Sequence, residues 1–217
     1  MINSTIGRSI STKGSATKEK LLRIGLDQIS VCGLSGVTLG QLASASGLSK
    51  SGLFAHFRSK EQLQVDLLNA LEEAAGRTMV APAMQARPGL PRLRTLIDLW
   101  FGWSCRAGLS GGCPLAAALF ELDDIQGEVR SHVRKLEEQW RALLRQLVRE
   151  AVKEGNLSSE VDVEQFVWEL WGIYLSHHVS SRFLGDPEAD ARARRAFDGL
   201  VQRSRAAPAP TQSRPEL

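Results

Sequence analysis

The chain has 217 residues, with 27 Lys and Arg, 24 Asp and Glu, and a formal net charge of +3. A hydrophobic fraction of 43% with 24% charged residues is typical of a soluble globular protein. The charge is uneven: residues 1–60 carry eight basic and two acidic side chains, a charge of +6, and the remaining 19 basic and 22 acidic side chains give −3. The basic N-terminal part predicts an anionic partner, either nucleic acid or a membrane surface.

The sequence lacks the signatures of several classes of protein. No run of about 18 apolar residues predicts a transmembrane helix. The first twenty residues lack the apolar core of a signal peptide, so we expect a cytoplasmic protein. Three cysteines give neither a disulfide framework nor a CxxC metal motif, and the chain contains no HExxH, EF-hand, P-loop or GxSxG pattern. We therefore predict no metal, no cofactor and no catalytic residue.

In chain order, the pattern is helical almost throughout and predicts an all-α protein of about nine helices. Residues 1–15 and 206–217 lack helical periodicity, which predicts a disordered N-terminal arm and a disordered tail. Between them, apolar spacing, N-capping side chains and glycines predict helices over residues 17–32, 38–45, 49–57, from 60 onward, 93–106, 114–124, 128–154, 162–184 and 187–205. The proline-rich residues 78–92 predict a joint. We expect two domains, a head over 16–62 and a body over 63–205.

The head has the residue pattern of a helix-turn-helix. Gly47 can adopt the positive φ of a tight turn, and Ser49 is placed to cap the helix that follows. The apolar positions fall on the buried faces of the two helices: Leu42, Ala43, Leu48, Leu53 and Phe57. Lys50, Ser51 and Gly52 then point outward at the end of the helix that enters the major groove in this motif. Because the positive charge falls on this motif, we predict that duplex DNA is the anionic partner.

The pattern from Thr38 to Leu63 closely resembles the signature of the tetracycline-repressor (TetR) family, and the match covers about residues 17–65. The resemblance implies an all-α homodimer with an N-terminal three-helix DNA-binding domain and a C-terminal helical domain for ligand binding and dimerisation. It also implies a roughly palindromic operator. The DNA-contacting residues that it implies are Thr38, Ser49, Lys50, Ser51, Gly52, Phe54, His56 and Lys60.

Two positions of the head depart from the family pattern. Phe54 stands where the family usually has tyrosine, so a phosphate hydrogen bond is absent there, although stacking on the DNA backbone remains open. Ser46 stands where a small apolar residue is usual. Two alternatives remain open for Arg8 and Lys13 in the arm. They contact the adjacent minor groove or the phosphates of the DNA, or they have no role in binding.

The body holds eleven of the 13 aromatic residues and all five tryptophans. These side chains form either a core or the lining of a cavity for an apolar or aromatic small molecule. We predict that this cavity is lined by Trp100, Trp103, Cys113, Phe120 and Trp140. The last two helices resemble the pair that forms the family's dimer interface. We place that interface on Val167, Leu170, Trp171, Tyr174 and His178.

Three hypotheses follow for function. The leading one is a repressor that a small apolar or aromatic molecule releases from its operator. The alternative is a regulator that senses oxidants or electrophiles through Cys105 and Cys113, because a thiol at a helix N-terminus has a lowered pKa. A third is a hydrolase or transferase that uses Cys113 with His132 or His177, for which the sequence offers no nucleophile signature.

Overall fold

A computed structural model describes residues 13–205, and within them the chain forms helices and connecting turns. The eleven α-helices of this part are α1 (Lys13–Gly36), α2 (Leu39–Ser46), α3 (Lys50–Phe54), α4 (Lys60–Ala75), α5 (Ala81–Met84), α6 (Leu90–Trp100), α7 (Trp103–Arg106), α8 (Pro114–Glu121), α9 (Glu128–Lys153), α10 (Val163–Arg182) and α11 (Ala189–Arg203). A π-helical turn, Gly76–Val80, joins α4 to α5. The predicted all-α class is confirmed. Residues 1–12 of the predicted arm, including Arg8, lie outside the described residues, as do the tail and the side chain of Lys13. Residues 13–15, which were also expected in the arm, are helical and begin α1.

The structure differs from the sequence prediction in how some helices are divided. The segment predicted as one helix over 93–106 is two, because Gly102 adopts a left-handed conformation between α6 and α7. The third helix ends at Phe54 rather than at residue 57. The expected joint at 78–92 is helical as far as Met84, since Pro82 lies in the first turn of α5, where a missing N–H costs nothing.

The head is held together by an apolar core that α1 and α4 enclose. Leu34, Leu42, Leu53 and Phe57 are completely buried. Outside this core, the ammonium group of Lys18 lies 2.7 Å from a carboxylate oxygen of Asp66 and also over the ring of Phe57. The two long helices therefore support the helix-turn-helix from one side.

The body is a bundle in which α9 contacts α4, α6, α8 and α10, while α10 packs along α11. The start of α6 is tied to the end of α9 by two polar contacts. Arg92 forms an ion pair of 2.9 Å with Glu150, and the side-chain oxygen of Asn156 accepts a hydrogen bond of 2.8 Å from the N–H of Leu90. Among the described helices, none is both long enough and apolar enough to span a membrane.

Candidate nucleic-acid interface and internal cavity

The helix-turn-helix is ordered by short-range hydrogen bonds. The hydroxyl oxygen of Thr38 accepts a hydrogen bond of 3.2 Å from the N–H of Gln41, and that of Ser49 accepts one of 3.1 Å from Gly52. Gly47 ends α2 with φ of 72°, a conformation that side-chain-bearing residues rarely adopt. These caps confirm the predicted turn, and they aim the start of α3 away from the core.

The surface of α3 combines small polar groups, one cation and one exposed ring. Ser49, Lys50, Ser51 and Phe54 are all exposed, whereas Leu53 between them is completely buried. The hydroxyl groups of Ser49 and Ser51 lie 3.1 Å apart. Side chains of this size allow a helix to approach the base edges of a major groove closely.

Two of the predicted DNA-contacting residues, Thr38 and Lys60, already form side-chain hydrogen bonds within the chain, and His56 is partly buried. The hydroxyl of Thr38 donates a hydrogen bond of 2.8 Å to the side-chain oxygen of Gln41, so a phosphate would take the place of that acceptor. The ammonium group of Lys60 donates one of 2.7 Å to the carbonyl oxygen of Ser35, which leaves two of its N–H groups free. His56 is half-buried, with its ring centroid 6.4 Å from that of Phe57.

The prediction from sequence overlooked Arg58, which lies in the turn between α3 and α4. Arg58 and Lys50 are both exposed, and among residues 13–205 neither forms an ion pair. The position of this basic residue between His56 and Lys60, two predicted DNA-contacting residues, was the sequence signal that could have identified it. Exposed cations without a counter-ion are suited to phosphate.

The body contains a stacked cluster of aromatic rings centred on Trp100. The ring of Trp100 stacks on Tyr174 at 4.0 Å and on Trp171 at 5.1 Å between centroids, and it meets Trp140 edge to face at 4.9 Å. Burial raises the pKa of the Tyr174 hydroxyl well above its ordinary value, and a contact with Cys113 contributes. The cluster joins α6, α9 and α10.

Next to this cluster lies a cavity of about 280 Å³. Its walls come from α4, the π-helical turn, α6, α7, the start of α8, α9 and α10. The lining residues are Leu71, Glu72, Ala75, Gly76, Met79, Val80, Trp100, Trp103, Cys113, Leu115, Leu136, Gln139, Trp140, Leu143 and Trp171. Four of the five predicted lining residues are among them. The exception is Phe120, which is 64% exposed on the surface of α8, so its assignment to the cavity is wrong.

The residues predicted for the dimer interface mostly face the interior of the same protomer. Val167, Leu170, Trp171 and Tyr174 are buried, and Trp171 lines the cavity. The reason is that α10 is apolar on two sides, and only one of them packs against α6 and α9. His178 is half-buried, and burial lowers its pKa.

The outward side of α10 carries a different set of apolar residues. Trp168 is 67% exposed and Phe183 is 87% exposed, with Val179 and Leu184 near them in sequence. Gly172 and Val179 fall at helical spacing between Trp168 and Phe183, so the exposed residues form a stripe about 22 Å long.

The cysteines and histidines are distributed over different parts of the body. Cys113 is buried, whereas Cys32 and Cys105 are exposed. His177 binds Asp190 at 2.6 Å and lines a groove beside Trp168, so it and Cys113 do not share a cavity. Within residues 13–205 no cluster of three or more His, Cys, Asp or Glu is placed to hold a metal ion.

A helix-turn-helix head on a helical body with an internal cavity defines a DNA-binding transcriptional regulator. Residues 21–67 match the model of the bacterial regulatory proteins of the tetR family, and residues 89–197 match the tetracyclin repressor-like C-terminal domain. The second match alone covers half of the chain. The chain therefore belongs to the TetR family, whose members are transcriptional regulators.

Individual relatives are consistent with this assignment. The nucleoid occlusion factor SlmA of Cronobacter sakazakii is 29% identical over 164 residues, which cover 75% of this chain and 82% of that protein. A TetR transcriptional regulator from Chloroflexus aurantiacus superposes with a TM-score of 0.76 at 25% identity over 88% of this chain and 94% of its own. AibR, solved in complex with isovaleryl coenzyme A and operator DNA, has the same fold, with a TM-score of 0.65 and 20% identity over 87% of this chain and 97% of its own.

Proposed function

We propose that the protein is a homodimeric repressor in the cytoplasm, and that a small apolar or aromatic molecule in the cavity releases it from a roughly palindromic operator. The observation that carries this proposal is the course of α4. The helix begins at Lys60 beside the helix-turn-helix, and it also supplies Leu71 and Glu72 to the cavity wall. At 1.5 Å per residue, about 18 Å separates Lys60 from Glu72.

DNA contacts are proposed for two kinds of residue in the head. At the start of α3, Lys50 and Ser51 would read base edges in the major groove, and Gly52 would allow the helix to approach the DNA closely. The phosphate contacts would come from Thr38, Ser49, His56, Arg58 and Lys60, and Phe54 would stack on the DNA backbone. Phosphate contacts set the position of the protein on the duplex, and base contacts provide the sequence preference.

The second protomer is proposed to pack on the outward stripe of α10. Trp168, Val179 and Phe183 are large apolar side chains exposed on one side of this helix, and contiguous exposed apolar patches mark protein–protein interaction sites. Gly172, at the middle of the stripe, has open space where a side chain would begin, so two helices can cross closely there. This arrangement would place the two heads on one side of the dimer, as a palindromic site requires.

A second connection runs from the cavity to the head through α8. Cys113, in the cavity wall, directly follows Gly111 and Gly112, whose N–H groups bind the hydroxyl and carbonyl oxygens of Ser30 in α1. A ligand that shifts Cys113 would therefore also shift α1. The dimer would have two conformations that differ in the distance between its heads. The ligand can release the dimer from DNA only if it binds one of these conformations more tightly than the other.

A covalent route to the same response is the second candidate. Cys113 is buried in the cavity wall. Its thiol would add across the double bond of an electrophilic alkene small enough to enter, so that the sulfur bonds one carbon as a thioether and the proton goes to the other carbon. Replacing Cys113 by alanine would abolish the response to such an electrophile and leave reversible ligands effective. An equal loss after Cys105→Ala would instead implicate the surface thiol.

The proposal can be tested with the full-length protein by selection from random duplexes followed by fluorescence anisotropy. We expect enrichment of a two-fold symmetric sequence and an affinity that falls steeply with salt concentration. Binding that shows no sequence preference, or a stoichiometry of one protomer per selected site, would overturn it. AibR, which has the same fold, has been solved in complex with isovaleryl coenzyme A and operator DNA, so a protein of this fold binds both a small molecule and an operator.

A further inference from the structure

We propose that Glu121, a carboxylate of the body at the end of α8, is a positioning residue for the binding of DNA phosphate by the head. It would act through the main chain of Ser35, which it holds in the orientation that restrains the ammonium group of Lys60. This role rests on the proposed phosphate contact of Lys60, and it adds a residue of the body on which that contact depends.

The end of α1 is bent at Gly33. This residue has φ of 73° and ψ of 173°, which lie outside the helical range, and a positive φ of this kind favours glycine. A Cβ atom at Gly33 would also overlap the carboxylate of Glu121. The close approach of α8 to the end of α1 therefore requires glycine at this position.

The peptide group that joins Leu34 to Ser35 is held from both sides. Its N–H donates a hydrogen bond of 2.8 Å to the carboxylate of Glu121. Its carbonyl oxygen accepts one of 2.7 Å from the side-chain amide of Gln64, a buried residue of α4. Because the N–H and C=O groups of a trans peptide point in opposite directions, these two side chains fix the plane of the peptide between α8 and α4.

The next carbonyl group along the chain restrains Lys60. The carbonyl oxygen of Ser35 accepts a hydrogen bond of 2.7 Å from the ammonium group of Lys60. Lys60 and Gln64 are four residues apart on α4, so they share a face of the helix and bind two successive carbonyl groups. An unrestrained lysine side chain samples many rotamers, and a restrained one loses less entropy when it binds a phosphate. The Ser35 carbonyl therefore keeps the ammonium group in place for the DNA backbone.

The charge of Glu121 makes its role open to a clear test. Its carboxylate forms no ion pair with a residue between 13 and 205. A negative charge close to a DNA-binding surface repels phosphate, so removal of a carboxylate without a positioning role would strengthen DNA binding. Removal of one that positions Lys60 would weaken it. The two roles thus predict effects of opposite sign.

The test compares two uncharged variants of similar length, Glu121→Met and Glu121→Gln, of which only the second keeps an oxygen that can accept the hydrogen bond from Ser35. Fluorescence anisotropy of the full-length protein at low salt can use a duplex of about 25 base pairs and any fixed sequence, since phosphate contacts carry no sequence information. We expect Glu121→Met to lower the affinity by about five- to twentyfold and Glu121→Gln to stay within about threefold of the native chain.

Two further variants serve as controls. Asp124→Ala removes the same charge from an exposed position just beyond α8, and it should not weaken binding. Glu121→Ala repeats the test with a smaller side chain and keeps the comparison available if Glu121→Met does not fold, which circular dichroism shows.

A double-mutant cycle with Lys60→Ala shows whether the effect passes through Lys60. In the Lys60→Ala background, we expect Glu121→Met to change the affinity by less than about twofold. A full effect in that background, or a Glu121→Met variant that binds as tightly as the native chain, would overturn the role of Glu121. In those cases Lys60→Ala alone still weakens binding, and the phosphate contact stands. If Lys60→Ala binds as tightly as the native chain, the proposed phosphate contact fails together with the role of Glu121.

Discussion

The hydroxyl oxygen of Ser30 in α1 accepts a hydrogen bond of 2.9 Å from the N–H of Gly111, in the loop that leads into α8. The carbonyl oxygen of Ser30 accepts a second bond of 2.9 Å from Gly112, and the carboxylate of Asp27 accepts one of 2.7 Å from Ser110. Three successive N–H groups of the loop are therefore bound by one face of a helix of the head. Because Cys113 comes next, this contact links the head to the cavity.

Substitution of Gly111 by alanine should separate the loop from α1. A Cβ atom at this position would lie 1.8 Å from the carbonyl oxygen of Ser30, closer than any stable contact. We expect a loss of about 1–3 kcal/mol in the free energy of unfolding, measured by urea denaturation. Gly76→Ala is the control, since its Cβ would enter open space. Equal stability of the two variants would contradict the tight contact seen here.

Loss of the unpaired cations of the head should weaken DNA binding in a salt-dependent manner. We expect Lys50→Ala and Arg58→Ala each to lower affinity for duplex DNA. Arg58→Ala should also reduce the slope of log affinity against log salt by about 2, since a dimer loses two phosphate contacts at about 0.9 each. The control is Lys135→Ala, an exposed lysine on α9. An unchanged slope for Arg58→Ala would remove that residue from the interface.

Introduction of a charge on the outward stripe of α10 should convert the dimer to monomers. In Trp168→Glu a carboxylate would be buried between protomers without a partner, so dimerisation should weaken by at least about tenfold. Sedimentation equilibrium measures this change. Phe120→Glu is the control because Phe120 is equally exposed but lies on α8. If Phe120→Glu dissociates the dimer and Trp168→Glu does not, the interface lies elsewhere.

The phenol of Tyr174 should not ionise while the body is folded. Burial raises its pKa well above its ordinary value of about 10. The resulting contribution to stability is complete below pH 10 and is lost as the pH rises through the folded-state pKa, because the unfolded chain releases the proton more readily.

The chain contains one tyrosine, so absorbance at about 295 nm reports this group alone. We expect tyrosinate to appear together with the loss of helical circular dichroism. Ionisation of a fully helical protein near pH 10 would show that the ring is accessible.

The head was predictable from sequence because its determinants are local. The caps formed by Thr38 and Ser49 and the left-handed Gly47 each involve groups three or four residues apart. Such short-range bonds depend mainly on the local sequence and can therefore be recognised without knowledge of how the helices pack. Arg58 was overlooked because a basic residue in a turn has no periodicity to mark it.

The body was predictable only in outline. Apolar spacing identified α10 as a helix, but both of its sides are apolar, and spacing cannot tell which side faces the interior. Trp171 was therefore assigned to the dimer interface although it lines the cavity, and Trp168 on the outward side was not chosen. Phe120 was expected in the cavity for the same reason, since an aromatic residue on a short helix carries no mark of its direction.

The sequence by itself determined the helical class, the two-part charge distribution and the DNA-binding motif, since these follow from composition and from contacts within a few residues. Only the tertiary structure decided which tryptophans surround a cavity, that Glu72 is its one charged residue, and that Ser30 binds the loop before Cys113. Those relationships join residues far apart in the chain, and their geometry depends on how the helices pack.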